Sequence, residues 1–430
     1  MIYKKIVNKM SLDVNISEPD EFNCTQLHYC IESVAEIYNI KEFTYHVDIL
    51  CGKGENYIAN VFRVSIKDCK SDNNISVIVK TLINTIRQEL FQELHNREVN
   101  AYKEVIEKYA VIQNNSKSDD LVALPKCILS STSKNNEIII LEDMLLSGFE
   151  INSKLIKYEK LQYHHVRLIL TELAKFHALT FVYEKTDESF SATKNAFTDL
   201  IFQDSFLNKA KLRDYFNESY KTSLSLITNE EVKNKLEVVQ HKLINILKTY
   251  TEPKKYNVFC HGDCWINNIL FKEEVCTGNK RGLCFLDFQA MRYASPVTDI
   301  LYFLYICTDS EFRSEYFELL KRDYYNSFKL FLTQYDIDAN SVYPEEAFEN
   351  DIQEMLPFGL LIALVELRIV TVPEGKHNII IDDSKYFPES EEIIEPAVQL
   401  EENLLVNRVN DVVNESANNG ILDKLLDLTR

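Results

Sequence analysis

The stretch HGDCWINNILF (261–271), followed by FLDFQ (285–289), decides how this chain is read. Asp263 stands five residues before the amide Asn268, and a second carboxylate, Asp287, leaves the next apolar run. NILF (268–271) and LCFLDF (283–288) read as strands, and TGNKRG (277–282) as the hairpin turn joining them, which is expected to keep the oxygens of these side chains within a few ångström of one another. Phosphoryl transfer asks little covalent help of a protein; its catalyst must position an acceptor hydroxyl and neutralise phosphate charge. Asp263 suits a base that orients and deprotonates the hydroxyl, while Asn268 and Asp287 offer the hard oxygen atoms that magnesium prefers. Taken singly, Asp263 is equally an Asx turn, Asn268 a turn residue and Asp287 an exposed loop carboxylate. Their joint order and spacing favour one site.

Working outward, the chain changes character near residue 150. Before it, CTQLHYCIESVAEIY (24–38) has helical spacing. TYHVDILCGKGENYIANVFRVSIK (44–67) and ISVIVKTL (75–82) then read as three strands, broken by Gly52 and Gly54 and by the turn SDNN (71–74). FQELHNREVNAYKEVIEKY (91–109) is an amphipathic helix, and further strands are expected around ALPKCILSS and NEIIILEDM (136–144). After residue 150, long helical periods dominate, among them HHVRLILTELAKFHALTFVY (164–183) and NEEVKNKLEVVQHKLINILKTY (229–250). The only strands expected there are YNVFCHGD (256–263) and the hairpin pair. The fold class is therefore α+β and bilobal: an N-terminal antiparallel β-sheet lobe and a mainly helical C-terminal lobe. The boundaries expected are an N-terminal helical extension over 1–43, a nucleotide-binding lobe over 44–144 and a helical lobe over 145–430, with the hairpin at 256–288 and the substrate site within it.

At 430 residues the chain exceeds one ordinary core, and 46% hydrophobic with 26% charged residues is a globular composition. A formal charge of −19 disfavours nucleic acid and anionic membranes as partners, yet a local lysine and a divalent metal can still hold a nucleotide. The ten cysteines form no CxxC pair or dense framework, as expected of free thiols in a reducing compartment. Lysines at 4, 5 and 9 break any secretory h-region, and MLPFGLLIALVELRIV (355–370), with Pro357, Glu366 and Arg368, reads as a buried helix too short to span a bilayer. A cytoplasmic protein with no obligate protein partner is the expectation. PESEEIIEP (388–396) reads as a solvated loop and helix start.

HGDCWINNILF, FLDFQAMRYASPVTDILYFLY (285–305) and LAKFHA (173–178) occur together and in order, and in them the chain resembles the insect ecdysteroid kinase-like family, related to choline kinases and aminoglycoside phosphotransferases. The resemblance runs from about residue 45 to 370 and implies a protein-kinase-like fold using ATP and Mg2+. It gives Lys80 the α and β phosphates, with Glu98 as its partner, where the residues alone leave open an outward edge lysine and a solvated helical charge. It places CGKGEN (51–56), with Gly52 and Gly54, over the phosphates, where an ordinary hairpin is the plainer reading. It places Glu142 and Met144 of ILEDM beside the adenine. His261 would brace the loop, His177 reads as a satisfied core histidine, and Asp299 either caps its helix or bonds back to the loop. Gln289 stands where protein kinases have glycine, and no A-P-E follows, which argues against protein substrates.

The acceptor implied is a small-molecule alcohol: an ecdysteroid, another steroid or a xenobiotic. Two alternatives stay open. One is a choline or ethanolamine kinase with an aromatic and acidic cage, which 23 tyrosines and 24 phenylalanines are too many to locate. The other is a non-catalytic nucleotide or hydrophobic-ligand binding protein of the same fold.

Overall fold

The computed structural model describes residues 27–51, 59–82, 88–134, 136–150, 161–209, 212–272, 282–371 and 398–429. Gly52, Gly54, the turn at 277–281 and the acidic stretch 388–396 lie outside the described residues. The chain divides into two compact units, Met1–Val99 with Pro125–Ser147, and Asn100–Leu124 with Gly148–Arg430.

The first unit is a five-stranded antiparallel sheet in the order β1-β2-β3-β5-β4, built from β1 (Phe43–Cys51), β2 (Ala59–Asp68), β3 (Asn74–Leu82), β4 (Cys127–Ser131) and β5 (Ile138–Glu142). Alternation sets its faces. Phe62, Val64 and Ile66 of β2, Val77 and Val79 of β3, and Ile138 and Ile140 of β5 share one core with Ile31 and Val34 of helix α1 (Leu27–Ile37). Lys80, next after Val79, points to the opposite face. Helix α2 (Gln88–Asn100) completes the unit.

In the second unit the chain runs through a π-helical stretch, Ala101–Ile106, into α3 (Glu107–Asn114). The single helix expected over 91–109 is thus interrupted, and the wider turn lets Tyr102 and Val105 be buried. The remaining helices before the hairpin are α4 (Tyr163–Thr186), α5 (Phe190–Ala196), α6 (Asp204–Lys209), α7 (Leu212–Leu226), α8 (Glu230–Glu237) and α9 (Leu243–Thr251). The helix expected over 229–250 is in fact α8, a 3-10 turn at Gln240–Lys242 and α9. Val239 and Leu243 are both fully buried, so the apolar residues on either side of the 3-10 turn stay in the core although the helix is broken.

Strand β6 is only Val258–Cys260, and it pairs with β9 (Arg292–Ala294), a strand that three residues of ordinary composition did not announce. Strands β7 (Ile269–Lys272) and β8 (Gly282–Phe285) form the expected antiparallel pair, with Ile269 opposite Phe285. Then follow α10 (Val297–Cys307), α11 (Ser310–Thr333), α12 (Ala339–Val342), α13 (Glu345–Val370), α14 (Val398–Asn418) and α15 (Ile421–Asp427). Helix α11 packs on α4, and α13 on α10. Among the described residues no helix is long and apolar enough to cross a membrane.

Candidate active site

In the first unit, Lys80 Nζ donates to both oxygens of Glu98, at 2.8 and 2.7 Å. The pair is 9% and 3% exposed, so each charge depends on the other for solvation. Helix α2 is fixed one turn earlier, where His95 Nε2 donates to the Ser131 carbonyl at 2.9 Å. Burial, with the Lys80 charge adding to it, pushes His95 down to about 4, so this ring is neutral.

Glu142 ends β5 half-buried, and its N–H reaches the Lys126 carbonyl at 2.9 Å. Met144, 7% exposed, opens the 3-10 turn Met144–Ser147. Between them Asp143, passed over in the sequence, anchors the segment. Its Oδ2 accepts from Arg63 Nε at 3.0 Å and Ser76 Oγ at 2.6 Å, and its Oδ1 from the Leu145 N–H at 3.1 Å.

In the second unit, the loop after β6 hangs on one buried carboxylate. Asp299, in the first turn of α10, accepts from the His261 N–H at 2.6 Å, the Gly262 N–H at 3.0 Å and His177 Nε2 at 3.1 Å. Tyr324 donates to His177 Nδ1 at 2.8 Å, so both nitrogens of that histidine are used. Burial pushes Asp299 up, but its donors, His177 foremost, bring it below the ordinary carboxylate value. His261 Nδ1 accepts from the Asp263 N–H at 3.3 Å, and Nε2 donates to the Leu286 carbonyl at 2.8 Å. One ring thus ties the loop to the segment carrying Asp287, and burial keeps it neutral by lowering its pKa.

Gly262 has φ +87°, and a Cβ there would lie 2.0 Å from the Ala290 carbonyl oxygen. Conformation and space both require glycine. Gly262→Ala is expected to lower stability by more than about 2 kcal/mol in urea unfolding, with loss of turnover.

Asp263 is half-buried. Tyr302 on α10 donates its hydroxyl to Oδ1 at 2.9 Å, and Asn268 Nδ2 donates to Oδ2 at 3.1 Å and to the Asp263 carbonyl at 2.9 Å. Desolvation, and next the Asp287 charge, raise Asp263 to about 6, against the opposing pull of Tyr302 and Asn268. Asn268 spends its amide nitrogen on Asp263 and keeps Oδ1 for another partner. Asp287 holds a left-handed backbone, φ 66° and ψ 69°, a strained conformation for aspartate of the kind that clusters at functional sites. Phe288, next to it, is fully buried, stacked 5.8 Å from Phe176 and edge-on to Tyr102 at 5.5 Å. That packing fixes where Asp287 starts. A carboxylate raised to about 6, the amide bonded to it and a second carboxylate whose charge acts on it form a donor set that fits a small hard divalent cation.

Three participants were invisible in the sequence. Tyr302 read only as part of an apolar helix. Arg292, 3% exposed, donates to the Gly262 carbonyl at 3.2 Å from the unannounced strand β9. Glu366 on α13 is half-buried, and burial, together with the Asp263 charge, pushes it up to about 8.

A model of the ecdysteroid kinase-like family matches residues 53–336. Among solved structures, an ethanolamine kinase of Plasmodium vivax is similar at 14% identity and a TM-score of 0.38, over 90% of this chain and 93% of that one. A microcompartment-associated aminopropanol kinase is similar at 10% identity and 0.42, over 91% and 98%. A glucosamine kinase in complex with glucosamine, ADP and inorganic phosphate is similar at 11% identity and 0.31, over 83% and 99%. No curated protein matches the chain.

Proposed function

Because the chain belongs to the ecdysteroid kinase-like family, we propose that it transfers the γ-phosphoryl group of ATP to a hydroxyl of a small molecule, an ecdysteroid or a similar steroid or xenobiotic alcohol. The observation that carries this reading is Asp263, a carboxylate with a pKa near 6, held between Tyr302 and Asn268. ATP with Mg2+ supplies the phosphoryl group and the neutralising charge. Asp263 orients the acceptor hydroxyl and takes its proton as the new oxygen–phosphorus bond forms and the bond to ADP breaks. Asn268, through Oδ1, and Asp287 would hold the magnesium. Lys80, held by Glu98, would contact the nucleotide phosphates, with Gly52 and Gly54 over them and Glu142 and Met144 beside the base. In this reading residues 44–144 serve the nucleotide and 145–430 serve the acceptor and the chemistry, in the cytoplasm.

Lys80→Met is expected to lower kcat/KM for ATP about a hundredfold and also to destabilise the protein by stranding Glu98. The double variant Lys80→Met/Glu98→Gln should recover the melting temperature without recovering turnover, which separates the phosphate contact from the fold. The reading itself is tested by incubating the purified chain with γ-labelled ATP, magnesium and a panel of ecdysteroids, choline and other alcohols. Label should appear on a neutral alcohol. Absence of both ATP binding and transfer would favour a non-catalytic binding protein, and transfer to choline alone would favour the choline-kinase alternative.

A further inference from the structure

Glu366 lies outside the segment matched by the family model and outside the set assigned above. Its place follows from helix packing. Helix α13 crosses α10 so closely at Gly359 that a Cβ there would be 2.6 Å from the Tyr305 ring. Seven residues on is two turns along the same face, which is where Glu366 stands. On α10, Tyr302 is one turn before Tyr305, and its hydroxyl is the donor to Asp263 Oδ1. Glu366 therefore comes to the Tyr302–Asp263 pair from the opposing helix, and its charge acts on the Tyr302 hydroxyl, as Asp263 acts on Glu366.

Its own helix surrounds it with apolar residues: Ile362 and Ala363 one turn before it and Val370 one turn after are buried. Among the described residues the Glu366 carboxyl makes no hydrogen bond, whereas Tyr302, Asn268 and Arg292 each bond to the 262–263 segment. A half-buried carboxyl without a protein partner, flanked by buried apolar residues of its own helix and close to Tyr302 and Asp263, is complementary to a ligand that brings the missing partner.

Resting on the kinase reading for the identity of the site, we propose that Glu366 is the second polar anchor of the acceptor: while Asp263 receives the hydroxyl to be phosphorylated, Glu366 binds another hydroxyl of the same molecule. The class accepted is then an apolar diol or polyol. A neutral carboxyl donates one hydrogen bond and accepts another, as a hydroxyl does. A quaternary ammonium has no N–H to offer it, and a mono-alcohol leaves it unsatisfied.

The test uses the full chain with cyclohexane-1,2-diol, cyclohexanol and choline as probes, binding measured by ligand-observed NMR titration in wild type, Glu366→Gln and Glu366→Leu. Wild type should bind the diol about tenfold more tightly than cyclohexanol, Glu366→Gln should stay within about threefold of wild type, and Glu366→Leu should bind the two alike, all three melting together. Equal or undetectable binding of diol and mono-alcohol by wild type overturns the proposal. So does a diol preference that survives in Glu366→Leu, a melting temperature that collapses with it, or choline binding tighter than the diol and lost in both variants. Phosphoryl transfer to the diol is followed separately. Its absence alongside a diol preference that Glu366→Leu removes would support the anchor and count against the kinase reading, so the two fail distinguishably.

Discussion

Asp263→Asn is expected to cut phosphoryl transfer about a thousandfold, the span ordinarily supplied by a general base, while ATP binding is retained. The amide keeps the shape and can still accept from Tyr302, but it cannot take the acceptor's proton. The pH profile gives a second signature. With Asp263 raised to about 6 and the acceptor anchor Glu366 raised to about 8, kcat/KM of the wild type should climb as pH rises through 6 and fall again above about 8 as Glu366 ionises, and the residual rate of the variant should lose the rising limb. Stability should move the other way. A carboxyl whose folded pKa is raised contributes stability at low pH that is lost as pH rises from its unfolded value near 4 through the folded one. At pH 8 the ionised Asp263 is a burden on the fold, so Asp263→Asn should melt no lower than wild type. A variant that phosphorylated an accepted alcohol at the wild-type rate would remove Asp263 from the role of base.

Asp299→Ala is expected to be the most damaging change to the fold, at least about 3 kcal/mol in denaturant unfolding, because three buried donors lose one acceptor together. His177 and the His261 and Gly262 N–H groups would be left in a region where Asp299 and His177 have no solvent exposure. Turnover should fall about a hundredfold even in the folded fraction, since a shift of order 1 Å in the 261–263 backbone misplaces Asp263. The sign with pH is the reverse of that for Asp263. Because the folded Asp299 is held below the ordinary value, its contribution is present above the unfolded pKa near 4 and lost as pH falls through the folded one. Wild type should therefore show an acid-side loss of stability that Asp299→Ala lacks. An alanine variant as stable as wild type would show that the loop is held by other contacts.

What could be read from the sequence was whatever is local or carried by a motif. The spacing of Asp263 and Asn268 predicted that they would lie together, and they are hydrogen-bonded; the sheet was announced by period-two runs that the structure arranges as one apolar face with Lys80 on the other. Asp299 could be read only as a choice between capping its helix and reaching back to the loop, and that choice depends on a contact between residues 261 and 299. Asp143, Tyr302, Arg292 and Glu366 were illegible for the same reason. Each is an ordinary residue of its own element, and acquires a task only from what another element places beside it. Glu366 in particular looked like an interruption of an apolar run.

The sequence-discontinuous first unit carries a consequence for biosynthesis. Its sheet stays open until the ribosome has released β5, which pairs with both β3 and β4, whereas residues 100–124 emerge earlier and belong to the other unit. Tyr109 must wait for Thr180, Asp120 for Lys175, and Ala123 for a strand partner at Cys284. A nascent chain that has emerged from the ribosome only as far as residue 150 would thus hold a finished sheet and an orphaned amphipathic segment with buried-type aromatics exposed, the species most in need of a chaperone.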